Sequence, residues 1–142
     1  MSDKTFSLAE AQQLLPVLEQ LLRSSMRSKE EIETIDGEFH ALSNRIFAMG
    51  GMQPDVPKWA RRKAERHKAE QRIKDSLSEI HAAGVQVKDL DMGLLDFPCV
   101  VDGRVILLCW KLGEPAIAYW HSPEEGFAGR KPIDARISGA EQ

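Results

Sequence analysis

Residues 107 to 130, LLCWKLGEPAIAYWHSPEEGFAGR, place Cys109, Trp110, Glu114, Tyr119, Trp120, His121 and Arg130 within one short stretch. His121 carries the sharpest chemistry, because an imidazole titrates near neutrality and is the commonest metal ligand. Upstream, Asp89, Asp91 and Asp96 in DLDMGLLD offer, together with Glu114, the oxygen ligands that a hard divalent cation takes, although their spacing matches no calcium loop. His121 with Asp91, Asp96 or Glu114 would make a divalent-metal site, and a metal-activated water there would serve a hydrolase. Each group also has a structural reading. His121 can be a packing residue, the aspartates can cap a tight turn, and Glu114 at a hairpin tip is expected to be exposed. Trp110, Tyr119 and Trp120 can line a small-ligand pocket or simply pack. Arg130 can anchor an anion, or tie the C-terminal segment to the domain through the acidic turn. Cys109 behaves as a small buried hydrophobe unless a base such as His121 stands close.

Strand pairing decides between these readings. FPCVVDGRVILLCW sets Asp102-Gly103 between two apolar runs, a strong hairpin signal. A two-residue turn there pairs Val101 with Arg104, Cys99 with Ile106, Phe97 with Leu108 and Asp96 with Cys109. Cys99 and Cys109 then point to opposite faces, which argues against a disulfide or a shared metal. A second hairpin folds through Gly113, Glu114 and Pro115 and returns as AIAYWH. A loop of two or four residues puts His121 opposite Leu108, on the face of Phe97. A three-residue loop puts it beside Leu107, on the face of Asp96 and Cys109, because a shift of one residue exchanges the faces of a strand. The result is an antiparallel sheet of three strands, or four with Val85 to Val87. Both sheet faces carry apolar groups, so helices are expected on one and the C-terminal tail or a second subunit on the other.

Ahead of the sheet, the pattern is helical up to Gly84. Ser7 and Glu10 form a capping box for a helix starting at Leu8. Apolar residues recur three and four apart at Leu8, Ala11, Leu15, Leu18 and Leu22, then at Ile32, Ile35, Phe39, Leu42, Ile46 and Met49, a coiled-coil-like seam whose phase slips between Ser25 and Ile32. Pro16 predicts a kink or a break and restart near Leu15. Gly50, Gly51, Pro54 and Pro57 end the run. Asp55 caps a second helix reaching about Ala83, with Gly84 at its C-terminus. The fold class is therefore α+β: a long antiparallel helical hairpin (1–84) followed by a small antiparallel sheet and C-terminal tail (85–142), read as one domain over 1–142.

The 142 residues are 42% hydrophobic, enough for a packed core, and carry a formal charge of -3. No apolar run approaches a membrane span, and nothing at the start resembles a secretion signal, so a cytoplasmic protein is expected. Lys58 to Lys74 is basic, but Glu30, Glu31, Glu33, Asp36 and Glu38 should lie opposite Arg66 to Arg72 in an antiparallel hairpin. Charge-complementary arms explain the run better than nucleic acid does, since Trp59 is the only aromatic residue within it.

The phrases FSLAEAQQLLP, GVQVKDLDMGLLDFP and LLCWKLGEPAIAYWHSPEEGFAGRKPI resemble the bacterial family known as domain of unknown function 2203. The resemblance implies a bacterial cytoplasmic protein and carries over no catalytic residue, substrate or cofactor. Two functions from different classes stay open. The favoured one is a non-enzymatic interaction or scaffold protein that forms a homodimer, or docks a protein partner, through the seam at Ile32 to Met49. The alternative is the divalent-metal protein built on His121.

Overall fold

The computed structural model describes residues 4–139. Helix α1 spans Leu8–Ala48 and α2 spans Val56–Ala82. They are followed by β1 (Gln86–Asp89), β2 (Leu94–Val101), β3 (Arg104–Lys111), β4 (Tyr119–His121), β5 (Lys131–Pro132) and a last short helix, α3 (Ala135–Ser138). The five strands form one antiparallel sheet in chain order, so every connection is between neighbours. The fold is α+β, with one more strand than the sequence pattern predicts. That strand is the two-residue β5, too short to leave a periodic signature.

Helix α1 begins as its capping box requires. The Ser7 amide donates to Glu10 Oε1 at 2.8 Å, and the Glu10 amide donates to Ser7 Oγ at 3.1 Å. The helix does not break at Pro16, and α1 runs as one assigned helix through it. Ala11 and Leu15 before the proline and Leu18 and Leu22 after it are all buried in the same core. Packing of one stripe on both sides of Pro16 outweighs the loss of a single backbone hydrogen bond. The phase slip further on is filled by small buried residues, Ser25 and Ser28.

Helix α2 runs back along α1. Arg62 grips Glu38 through two hydrogen bonds, at 2.9 and 2.8 Å, Arg66 holds Asp36 at 2.6 Å, and Arg72 holds Glu31 at 2.7 Å. Such partly exposed pairs set register more than they add stability. Between the arms Ile35 is fully buried, and Phe39 stacks on Trp59 with ring centroids 4.9 Å apart. Along the seam Ile35 is buried against α2 and Ile32, Phe39, Leu42 and Ile46 are half-buried, while Phe47, Met49 and Val56 at the open end are exposed. At the other end Gly84 takes φ 96°, and its neighbour Val85 is buried where β1 begins.

The sheet has one face in the main core. Leu95, Phe97, Cys99, Leu108 and Trp110 pack there against Leu15, Leu18 and Leu22 of α1, Ile80 of α2 and Ile137 of α3. Phe6 meets Phe97 edge-on at 5.7 Å. The hairpin at Asp102-Gly103 has the expected register, with φ of 53° and 75° at its two central residues. Among the described residues no helix is long and apolar enough to cross a membrane.

Candidate functional site

The second hairpin has the register of the three-residue alternative, although the connecting segment is longer and runs from residue 112 to 118. Leu107 pairs with His121, Leu108 with Trp120 and Cys109 with Tyr119. His121 therefore leaves the helix-facing side and joins Asp96 and Cys109 on the opposite face. Asp96 on β2 and His121 on β4 meet over the middle strand, where the small side chain of Cys109 leaves them room. His121 Nε2 lies 3.1 and 3.2 Å from the two carboxylate oxygens of Asp96. One ligand-type atom from each of Asp96, Cys109 and His121 lies within 4.8 Å of the other two, and all three residues are buried.

The imidazole is held from both sides. His121 Nδ1 is 2.8 Å from the Ser122 carbonyl oxygen. A carbonyl only accepts, so Nδ1 donates to it, and Nε2 faces Asp96 across a hydrogen bond whose proton a bound cation would replace. This geometry is not that of a cysteine nucleophile. Imidazole activation of a thiol needs one ring nitrogen on the sulfur and the other on an orienting acid, whereas here the acid shares Nε2. Burial, followed by the neighbouring Asp96 carboxylate, pushes the Cys109 thiol up to about 12, with Arg130 working weakly against them. Cys109 is thus protonated at neutral pH unless a cation takes the place of its proton.

A loop from Ser122 to Arg130 covers this face. The Ser122 amide donates to Glu125 Oε1 at 3.0 Å, and Lys131 Nζ reaches the same oxygen at 2.5 Å. These contacts hold the Glu125 carboxyl down at about 2, the Lys131 hydrogen bond contributing most. At the far end, Arg130 Nη2 donates to Glu114 Oε1 at 2.7 Å and to the Cys109 carbonyl at 3.2 Å. Its guanidinium carbon lies 4.2 Å from the Tyr119 ring centroid and 4.6 Å from that of Phe127. Between loop and sheet is a cavity of about 170 Å³, lined among others by Lys88, Leu94, Leu107, Phe127 and the three buried ligand-type residues.

Of the remaining sequence candidates, Arg130 and Tyr119 adjoin Cys109, whereas the carboxylates other than Asp96 do not join the cluster. Asp91 is exposed and pairs with Lys29 of α1. Asp89 accepts from the Met92 amide at 3.0 Å, as a turn former does. Glu114 is not exposed as expected: it bends back to accept from the Lys111 amide at 2.7 Å and to pair with Arg130. Burial alone would raise its carboxyl, but these two donors hold it below the usual range. Arg130 thereby links the loop to the Gly-Glu-Pro turn. Trp110 is fully buried and donates from Nε1 to the Glu114 carbonyl at 3.0 Å. Trp120 shares its sheet face, whereas Tyr119 lies on the other under Arg130, so the three aromatics line no common pocket.

A family model described as Uncharacterized conserved protein (DUF2203) matches residues 4–133. The chain belongs to the DUF2203 family. The match includes the whole buried cluster, its covering loop and the Glu114–Arg130 pair. No curated protein and no solved structure matches the chain. For this DUF2203 chain the site must therefore be read from its own residues. Lys88, Ser122 and Glu125 were not singled out by the sequence pattern. The Ser-Pro-Glu-Glu spacing carries a local signal, a carboxylate returning to the amide three residues earlier. Lys88 has none, since its place at the cavity follows from the pairing of β1 with β2.

Proposed function

We propose that this chain is a metal-binding protein whose Asp96 carboxylate, Cys109 thiolate and His121 Nε2 hold one divalent transition-metal ion of the zinc type. The observation that carries the reading is the fixed imidazole. A metal-ligating histidine donates its other N–H to a carbonyl or carboxylate, as His121 Nδ1 does to Ser122, leaving Nε2 directed at the Asp96 carboxylate with the Cys109 sulfur in the same cluster. Mixed nitrogen, sulfur and oxygen donors suit zinc. Ligands held at about 2.0–2.3 Å in a tetrahedron stand roughly 3.5 Å from each other, so the present separations need only a small closure. Three protein ligands leave a fourth position free, which is the condition for activating water and for a hydrolytic role.

Elemental analysis of protein purified without chelator tests this. One equivalent of metal is expected, falling below a tenth of an equivalent in His121→Ala and in Cys109→Ser. Full metal content in both variants, or none in the parent after dialysis against zinc, overturns it.

A second reading, interaction through the helical hairpin, has support only at the open end, where Phe47, Met49 and Val56 are exposed. A dimer in light scattering that dissociates on Phe47→Ser supports it. A monomer at tens of micromolar removes it.

A further inference from the structure

We infer that the cavity above Asp96, Cys109 and His121 is the binding site for a small carboxylate monoanion, bound at the fourth metal position and recognised by Lys88. This rests on the metal reading above and adds the class of ligand.

Charge points to an anion. A divalent ion with one carboxylate, one thiolate and a neutral imidazole is a centre without net charge. Around it, the charged lining residues other than the ligands are Lys88 and Glu125. Glu125 is already taken, by Lys131 and by the Ser122 amide. Among the described residues Lys88 makes no ion pair, and it stands exposed at the cavity wall. With Glu125 paired, the Lys88 ammonium is the lining charge left without a counterpart, and it attracts an anion to this wall.

Size and polarity narrow the class. About 170 Å³ is below the roughly 300–1,000 Å³ of pockets for drug-sized ligands, which favours a small molecule. Leu94, Leu107, Pro123 and Phe127 make most of the remaining wall apolar. A charged head with a short aliphatic body fits that division, and a multiply charged ion such as phosphate does not, having no apolar part for these walls. Propionate is the simplest molecule of this kind.

The test uses full-length protein loaded with cobalt(II), whose visible spectrum reports its ligands. Propionate is expected to change the spectrum saturably, while propionamide of the same shape leaves it unchanged. Lys88→Gln should weaken propionate binding at least tenfold at low ionic strength with cobalt uptake and melting temperature intact. Cobalt uptake with no response to propionate overturns the anion site and leaves the metal reading standing, as does equal binding in Lys88→Gln. Absence of cobalt uptake overturns both.

Discussion

His121 on β4 reaches across β3 to Asp96 on β2, its Nε2 3.1 Å from the nearer carboxylate oxygen, and both side chains are almost wholly out of contact with water. Neither residue tolerates loss of the other. Removing one member leaves a buried polar or charged group without a partner, which costs about 3–5 kcal/mol. Asp96→Ala and His121→Ala should each lower stability by that order in urea unfolding, and Asp96→Asn by less, since an amide still offers a hydrogen-bonding oxygen. The parent should melt at a higher temperature with zinc at a large excess over its dissociation constant, and His121→Ala should not, because only a folded state that binds the ion is stabilised by it. An identical zinc-induced shift in both proteins would contradict the assignment of His121.

Cys109 should be silent toward thiol reagents in the native protein. With its thiol at about 12, only about one molecule in ten thousand is thiolate at pH 8, and the side chain is buried as well. Cys99 is buried on the opposite face, where burial likewise raises its thiol. Titration with a chromogenic disulfide at pH 8 is expected to find no fast-reacting thiol before unfolding and two after it. A single rapid native thiol mapped to Cys109 would revive the nucleophile.

The loop over the cavity should loosen in acid. Glu125 is held well below the 4.5 of a free glutamate, at about 2, by contacts that exist only in the folded loop. A depressed carboxyl stabilises its state at pH above the free value, and that contribution is lost as pH falls from about 4.5 toward about 2. Deuterium-exchange protection of the Ser122 amide, corrected for intrinsic rates, should therefore drop across this window. In Glu125→Gln it should be low and independent of pH over the same range. Unchanged protection in the parent would show that the loop is held by other contacts.

The two ends of the helical hairpin should respond differently to truncation. Ile35 is completely buried between the arms, so Ile35→Ala should cost about 2–5 kcal/mol in equilibrium unfolding. Phe47 is 89% exposed, and Phe47→Ala should stay within about 0.5 kcal/mol. A large loss at Phe47 would mean that a second chain covers it in solution.

Much of the fold was legible because its signals are local. Ser7 with Glu10 marks the start of α1, Asp102-Gly103 sets the register of β2 on β3 down to Asp96 opposite Cys109, and the acidic and basic arms of the hairpin are written in charge. Each of these depends on residues adjacent in sequence or on a periodic face, where hydrogen-bonding groups and apolar stripes select one local geometry. Pro16 did not break the helix, because Leu15 before it and Leu18 and Leu22 after it pack on one core.

The site depended on tertiary structure. Both placements of His121 were compatible with the Gly-Glu-Pro turn, and they differ by a one-residue shift that exchanges sheet faces. Only the packed sheet selects the register, by seating Trp110 in the core with its indole N–H on the Glu114 carbonyl and closing the turn on Lys111 and Arg130. That choice carries His121 to Asp96 and Cys109, sends Asp91 to Lys29 instead, and folds the loop from Ser122 over the cluster with Lys88 at its wall. By itself the sequence determined the elements and most of their pairing. Which distant side chains share one buried cavity was decided by packing, because it is a property of how whole strands and loops are stacked.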